Sequence, residues 1–144
     1  MKIPVKILRP GAVLPTAGSR FAAGYDLHAC LDAPIEILPH ATTMVGTGLA
    51  IAVPEGWFGA IFARSGLASK QGLRPANCVG VCDSDYRGEY IIALHNDSDR
   101  VRIISPGDRI AQLVVLPCAD AQFEAADELP ETERSDGGFG STGV

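Results

Sequence analysis

Asn77-Cys78-Val79-Gly80-Val81-Cys82-Asp83-Ser84-Asp85-Tyr86-Arg87-Gly88-Glu89-Tyr90 is the stretch whose reading decides what this chain folds into. Val79, Val81, Tyr90, Ile91 and Ile92 favour extended backbone. Between them, Asp83-Ser84-Asp85-Tyr86-Arg87-Gly88 is rich in turn formers. The pattern predicts a β-hairpin with a wide tip over residues 77–95. Asp83, Asp85 and Tyr86 sit together at that tip, and Asn77 and Gly80 lie on the arm leading in. Such a hairpin can form a small pocket. The Asn77 amide both donates and accepts, which suits the edge of a base. Gly80 leaves room for a flat ring to approach the backbone. Tyr86 offers a face for a sugar, and Asp83 can hold a water as general base. The plainer alternative is a solvated turn with one aromatic ring packed on its own arms.

The rest of the composition agrees with strands and turns. At 144 residues the chain has the length of one domain with a real core. Nearly half of it is hydrophobic (47%), yet aromatic residues make up 6%. Its 16 glycines and 10 prolines are spread out rather than clustered, which suits many short strands joined by turns. No amphipathic helical run exceeds about two turns. The net charge of −5 excludes a protein that coats nucleic acid, which needs a basic face. A nucleotide is still allowed, provided local arginines, a divalent metal and backbone N–H groups meet its phosphates. No apolar run reaches membrane-spanning length, and Met1-Lys2-Ile3-Pro4-Val5-Lys6 contains no signal-peptide core, so a cytoplasmic protein is expected. Cys30, Cys78, Cys82 and Cys118 show no Cys-x-x-Cys spacing, and His28, His40 and His95 are dispersed. Buried reduced thiols are therefore expected rather than a zinc site.

Working outward, residues 2–8 read as an edge-compatible strand. Ala22 to Leu31 alternates, with Tyr25, Leu27, Ala29 and Leu31 on one side and Asp26, His28 and Cys30 on the other. An acid on such a strand is usually exposed to solvent. The alternative is a carboxylate touching the hydration shell of a magnesium ion, which keeps its waters. Ile35 to Leu38, Thr42 to Val53 and Trp57 to Phe62 read as core strands, with Gly46 and Gly48 marking a bulge or close packing. Ala63-Arg64-Ser65-Gly66-Leu67-Ala68 runs from a strand into a short helical turn that Gly72 can end. Ser65 is either a plain N-cap or, with Arg64, part of an anion site. Val101 to Ile104 and Arg109 to Leu116 are further strands. Gln112 is polar inside the second of these and needs partners. The chain ends in a glycine-rich tail, in which Phe139 stands among glycines near Arg134, Ser141 and Thr142.

Asn-x-x-Gly-x-x-Asp-x-Asp-Tyr-x-Gly resembles the uracil- and deoxyribose-binding segment of the trimeric dUTPases. Four further motifs of that family occur in its order: Ala23-Gly24-Tyr25-Asp26-Leu27, Ala63 to Ala68, Gly107-Asp108-Arg109-Ile110-Ala111-Gln112-Leu113, and Gly137-Gly138-Phe139-Gly140-Ser141-Thr142-Gly143 after Arg134. The resemblance implies an all-β, jelly-roll-like subunit and a homotrimer. Residues 1–130 would form the β domain, and 131–144 an arm closing over a neighbouring subunit's site. It implies hydrolysis of dUTP to dUMP and pyrophosphate with Mg2+, which limits uracil incorporation into DNA and supplies dUMP for dTMP synthesis. By the same resemblance Asp83 is the catalytic base, and Asn77, Gly80, Val81, Tyr86 and Phe139 bind uracil and deoxyribose. Arg64, Ser65, Gly66, Gln112, Arg134, Gly140, Ser141 and Thr142 bind phosphates, and Asp26 holds magnesium through water. Arg109 and Asp108 are expected in structural or intersubunit ion pairs. One residue departs from the pattern. Ser135 stands where the family usually has glycine, and a site with positive φ would strain it. Two other readings share part of this pattern. A dCTP deaminase of the same superfamily uses a catalytic glutamate and lacks the Asp-x-Asp-Tyr segment. A non-catalytic dUTP-binding trimer would not need every catalytic residue that is present here.

Overall fold

The computed structural model describes residues 1–77 and 79–138. Its strands are β1 (Val5–Ile7), β2 (Thr16–Ala17), β3 (Tyr25–His28), β4 (Ile35–Ile37), β5 (Thr42–Gly46), β6 (Leu49–Ile51) and β7 (Trp57–Phe62). One helix, α1 (Ser65–Gln71), follows. Then come β8 (Leu73–Pro75), β9 (Gly80–Cys82), β10 (Ile91–Asn96), β11 (Arg102–Ile104) and β12 (Arg109–Pro117). The all-β class expected from turn spacing is what forms.

The strands pair antiparallel in four groups. The largest runs β2-β3-β12-β7-β9, a second runs β5-β10-β8, and β1-β6 and β11-β4 are two-stranded. β12 lies between β3 and β7. That central place is why Ile110, Ala111 and Leu113 are buried in it. β10 shows strand periodicity plainly: Ile92, Leu94 and Asn96 are buried, while the residues between them are not. Ile92 and Leu94 join Leu27, Ile37, Val45 and Ile104 in one core. Asn96 is polar and wholly buried, and every part of its amide is used. Its Nδ2 donates to the carbonyls of Ile37, Leu38 and Arg100, and its Oδ1 accepts from Ser98.

Two expectations are corrected. The 77–95 segment is not a hairpin. β9 pairs with β7 in the five-stranded sheet, whereas β10 pairs with β5 and β8 in the three-stranded one. The turn-rich link between them crosses from one sheet to the other. Likewise, Thr42 to Val53 is not one strand. It breaks at Thr47-Gly48, where Gly48 takes φ 69°, and β6 leaves to pair with β1. The polar break is buried and satisfied, because the Thr47 hydroxyl donates to the Tyr90 carbonyl at 2.7 Å. In both places alternation identified the strands, but it carries no information about which sheet each arm joins.

Helix α1 ends as expected, with Gly72 in the left-handed region at φ 68°. Its N-cap is Arg64 rather than Ser65, and no side chain caps the first turn. Residues 118–138 contain neither helix nor strand. Among the described residues no helix is long and apolar enough to cross a membrane.

Candidate active site

The crossing link opens a cleft of about 330 Å3 between the two sheets, at the small end of ligand clefts, which run from about 300 to 1,000 Å3. Asn77, Gly80, Val81, Asp83 and Tyr86 all line it. Five residues expected from the sequence therefore meet at one cleft. Gly80 is buried on β9 opposite Ile61 of β7. A Cβ there would sit 3.1 Å from the Ile61 Cβ and 3.2 Å from the Asn77 Nδ2. The missing side chain thus keeps the space beside the Asn77 amide open. Asp83 and Tyr86 are exposed at the mouth. Their turn closes through the Tyr86 N–H, which donates to the Asp83 carbonyl at 3.1 Å. The Tyr86 hydroxyl folds back to donate to the Glu89 carbonyl at 3.0 Å.

Sequence reasoning passed over three residues around this cleft. Tyr90, counted only as a strand former, lies 6.0 Å from Tyr86, ring centre to ring centre. Its hydroxyl is buried without a full hydrogen bond among the described residues. Burial, and then the neighbouring Cys82 thiol, push its pKa far up. Cys82 also lines the cleft, and burial raises its thiol pKa as well. Glu89 is the third: its Oε1 accepts from Arg9 and from the Gly48 N–H. An apolar run interrupted by Cys and Tyr gave no hint of the first two. Glu89 stands just past the turn, and nothing in its neighbourhood marks it.

A second group forms on the five-stranded sheet. Asp26 on β3 faces Gln112 on β12 in register. Arg64 Nε donates to Asp26 Oδ1 at 2.7 Å, and Arg109 Nη1 to Oδ2 at 3.3 Å. The Asp26 side chain is only 15% exposed. This corrects the usual expectation of a solvent-facing acid on a strand and bears out the ion pair expected of Arg109. Asp108 behaves differently: its Oδ2 accepts from the Ser105 N–H, closing the turn before β12. Gln112 Nε2 donates to the Ala63 carbonyl at 2.9 Å, and its Oε1 lies over Gly24, where a Cβ would collide with it. The backbone partner anticipated for a glutamine inside a strand is thus present. Ser65 and Gly66 are exposed at the start of α1. Nearby, the His28 pKa is lowered, chiefly by burial, against the pull of Asp26.

Among the described residues, this second group does not line the cleft. Within one chain the two groups are therefore separate. Arg134 is exposed and makes a local turn, its Nε donating to the Gly137 carbonyl at 2.8 Å. Ser135 in that turn has φ 45°, the left-handed conformation that glycine tolerates and serine does not favour. Phe139, Gly140, Ser141 and Thr142 lie outside the described residues.

A small cleft, with two guanidinium groups gathered on Asp26 of the five-stranded sheet, defines an all-β protein suited to a small anionic ligand such as a nucleotide. The dUTPase family model matches residues 11–143, and the chain belongs to that family. It is 48% identical to the deoxyuridine 5'-triphosphate nucleotidohydrolase of Syntrophotalea carbinolica over 141 residues, 98% of this chain and 96% of that protein. It is 52% identical to the protein of the same name from Desulfitobacterium hafniense over 132 residues, 91% of this chain and 87% of that one. Among solved structures, it resembles a point mutant of the Staphylococcus bacteriophage 80alpha dUTPase with dUpNHpp. That match has a TM-score of 0.91 at 27% identity and covers 99% of both chains. It also resembles a mutant dUTPase from phage phi11 of S. aureus, described with a structural Mg(II) ion, at a TM-score of 0.78 and 25% identity over 89% of this chain and 98% of that one.

Proposed function

We propose that the protein hydrolyses dUTP to dUMP and pyrophosphate by water attack on the α-phosphorus. The observation that carries this reading is the cleft, where an amide, a kept space, a phenol and a carboxylate meet around about 330 Å3. Asn77 and strand backbone read the uracil edge. Cytosine presents a donor where uracil has an acceptor, so it leaves a polar group unpaired. The close backbone at Val79 and Gly80 leaves no room for the methyl group of thymine. The Tyr86 ring lies under the deoxyribose and excludes a 2′-hydroxyl. Asp83 orients the water and takes its proton.

The phosphates fall to the second group. Asp26 engages Nε of Arg64, and the other guanidinium nitrogens of Arg64 make no hydrogen bond among the described residues. Gln112 Nε2 has one N–H left after Ala63. These groups, with Ser65 and Gly66, supply donors to phosphate oxygens. Arg134, Phe139, Gly140, Ser141 and Thr142 close over the nucleotide from the arm, residues 131–144, which follows the β domain of residues 1–130.

The donor set fits magnesium in one way only. Both Asp26 oxygens are engaged by arginines, and the described residues contain no cluster of three His, Cys, Asp or Glu side chains. Such a set suits an ion that keeps its waters and takes its other ligands from phosphate, with Asp26 holding a metal-bound water. The chemistry that ion supplies is neutralisation of charge on the phosphate oxygens.

The active unit is a homotrimer. One subunit gives the cleft, a second the Asp26, Arg64-Ser65 and Gln112 group, and a third the arm. Three features support this assembly. The two groups stand apart within one chain. A groove of about 630 Å3 lined by Ile3, Val5, Ile51, Trp57 and Leu113 is open to a partner. Phe123 and Leu129, in the segment leading to the arm, are 97% and 85% exposed. The protein works in the cytoplasm, does not act on nucleic acid and does not sit in a membrane.

The test is pyrophosphate release from dUTP, dTTP, dCTP and UTP, each with magnesium and with chelator. Magnesium-dependent release from dUTP alone is expected, without ammonia from dCTP. Asp83→Asn should keep dUTP binding and lose turnover by about 10²–10⁴-fold. A near wild-type rate in that variant overturns the assignment of the base.

A further inference from the structure

The link over residues 83–89 forms the mouth of the cleft, yet most of its hydrogen bonds stay within it. Tyr86 N–H meets the Asp83 carbonyl, the Tyr86 hydroxyl meets the Glu89 carbonyl, and Arg87 reaches the Ser84 and Tyr86 carbonyls. Among the described residues, the hydrogen bonds that tie this link to a distant part of the chain are those of the Glu89 carboxylate. Its Oε1 accepts from Arg9 Nη2 at 2.9 Å and from the Gly48 N–H at 2.7 Å. The space for this junction is built in: a Cβ on Gly46 would overlap both the Arg9 guanidinium and the Glu89 carboxylate. Gly48 would likewise press its Cβ on Ala12, Cys30 and Arg9.

We propose that Arg9, far from the cleft in sequence and outside its lining, is a positioning residue for substrate choice: it fixes Glu89, whose carbonyl holds the Tyr86 hydroxyl, and so sets the ring under the sugar. This rests on the function proposed above and adds to it a specificity determinant on the N-terminal loop. The exposed ion pair contributes little to stability by itself. Its role is to fix the Glu89 residue at the end of the link, while the next residue is already held by Tyr90 N–H to the Leu49 carbonyl.

The experiment measures kcat and KM for dUTP and UTP in wild type, Arg9→Gln, Arg9→Lys and Gly46→Ala, and in a cycle with Tyr86→Phe. Arg9→Gln and Gly46→Ala should each lower the dUTP-to-UTP ratio of kcat/KM by about fivefold or more. The loss should come through a smaller difference in KM, and Arg9→Lys should restore most of it. In the Tyr86→Phe background, which lacks the hydroxyl, Arg9→Gln should add nothing. A ratio in Arg9→Gln equal to wild type overturns this inference alone, as does a further fall on Tyr86→Phe. A wild-type protein that does not distinguish dUTP from UTP overturns the proposed function and this inference together.

Discussion

Replacing Gly80 with alanine should convert an uncrowded uracil edge into a crowded one. Gly80 shows no positive φ, so the backbone accepts a side chain, and the entire effect is one of space. The new Cβ would stand 3.1 Å from the Ile61 Cβ and 3.2 Å from the Asn77 Nδ2. The Ile61 Cβ is fixed to β7, which is held on its other side by β12. The Asn77 amide is the group that must give way. Overpacking a core costs about 1–3 kcal/mol in general, but here most of it should appear as lost recognition. Displacing the amide forfeits one or two hydrogen bonds to a buried edge, about 1–3 kcal/mol, which corresponds to roughly fivefold to a hundredfold in affinity. The variant should show a raised KM for dUTP, a kcat much closer to wild type, and weaker rejection of dCTP. The assay is steady-state pyrophosphate release alongside a thermal melt. Wild-type KM in a folded Gly80→Ala protein would refute both the role of the space and that of Asn77.

Tyr86→Ala should admit UTP more readily, and unchanged discrimination between dUTP and UTP would count against the ring as the sugar gate. Ser135→Gly removes a strained φ, which for an L-residue costs about 1–2 kcal/mol. If the 132–137 turn must form for the arm to close, kcat/KM should rise severalfold, and Ser135→Val should lower it; equal activity in all three would break the link between turn and closure. His28 is held neutral by burial, with its pKa below 6.5. The unfolded chain therefore takes up the proton first, so stability should fall as pH drops from about 6.5 toward the folded value. Urea midpoints from pH 8 to 5 should show a flatter acid limb in His28→Gln, and an identical slope would exclude His28 as a contributor.

Local chemistry was legible in the sequence wherever it was also local in space. Asn77, Gly80, Val81, Asp83 and Tyr86 line one cleft because they are close along the chain. The left-handed Gly72 could be anticipated in the same way, whereas the ion pair of Arg109 was expected without a partner, which proves to be Asp26, 83 positions away. The hairpin failed because pairing partners are chosen by the core: β9 and β10 each find a neighbour in a different sheet. The Arg9–Glu89–Gly48 junction was hidden because it joins residues about 80 positions apart, and nothing in either neighbourhood signals the other. Taken by itself, strand alternation makes Asp26 a surface acid, because the guanidinium groups that bury it come from β12 and from the start of α1.

The crossing of the link between sheets gives the cleft an unusual set of determinants. Its sides are β9 of the five-stranded sheet and β5, β8 and β10 of the three-stranded one, so its width follows the spacing between the two sheets. A hairpin pocket could breathe by fraying its own tip. Here the spacing of the two sheets also counts, and Leu27, Leu94 and Ile110, wholly buried in the core, resist a change in it. Tolerance for a thymine methyl should therefore be tunable from the interior, by side chains that never meet a nucleotide.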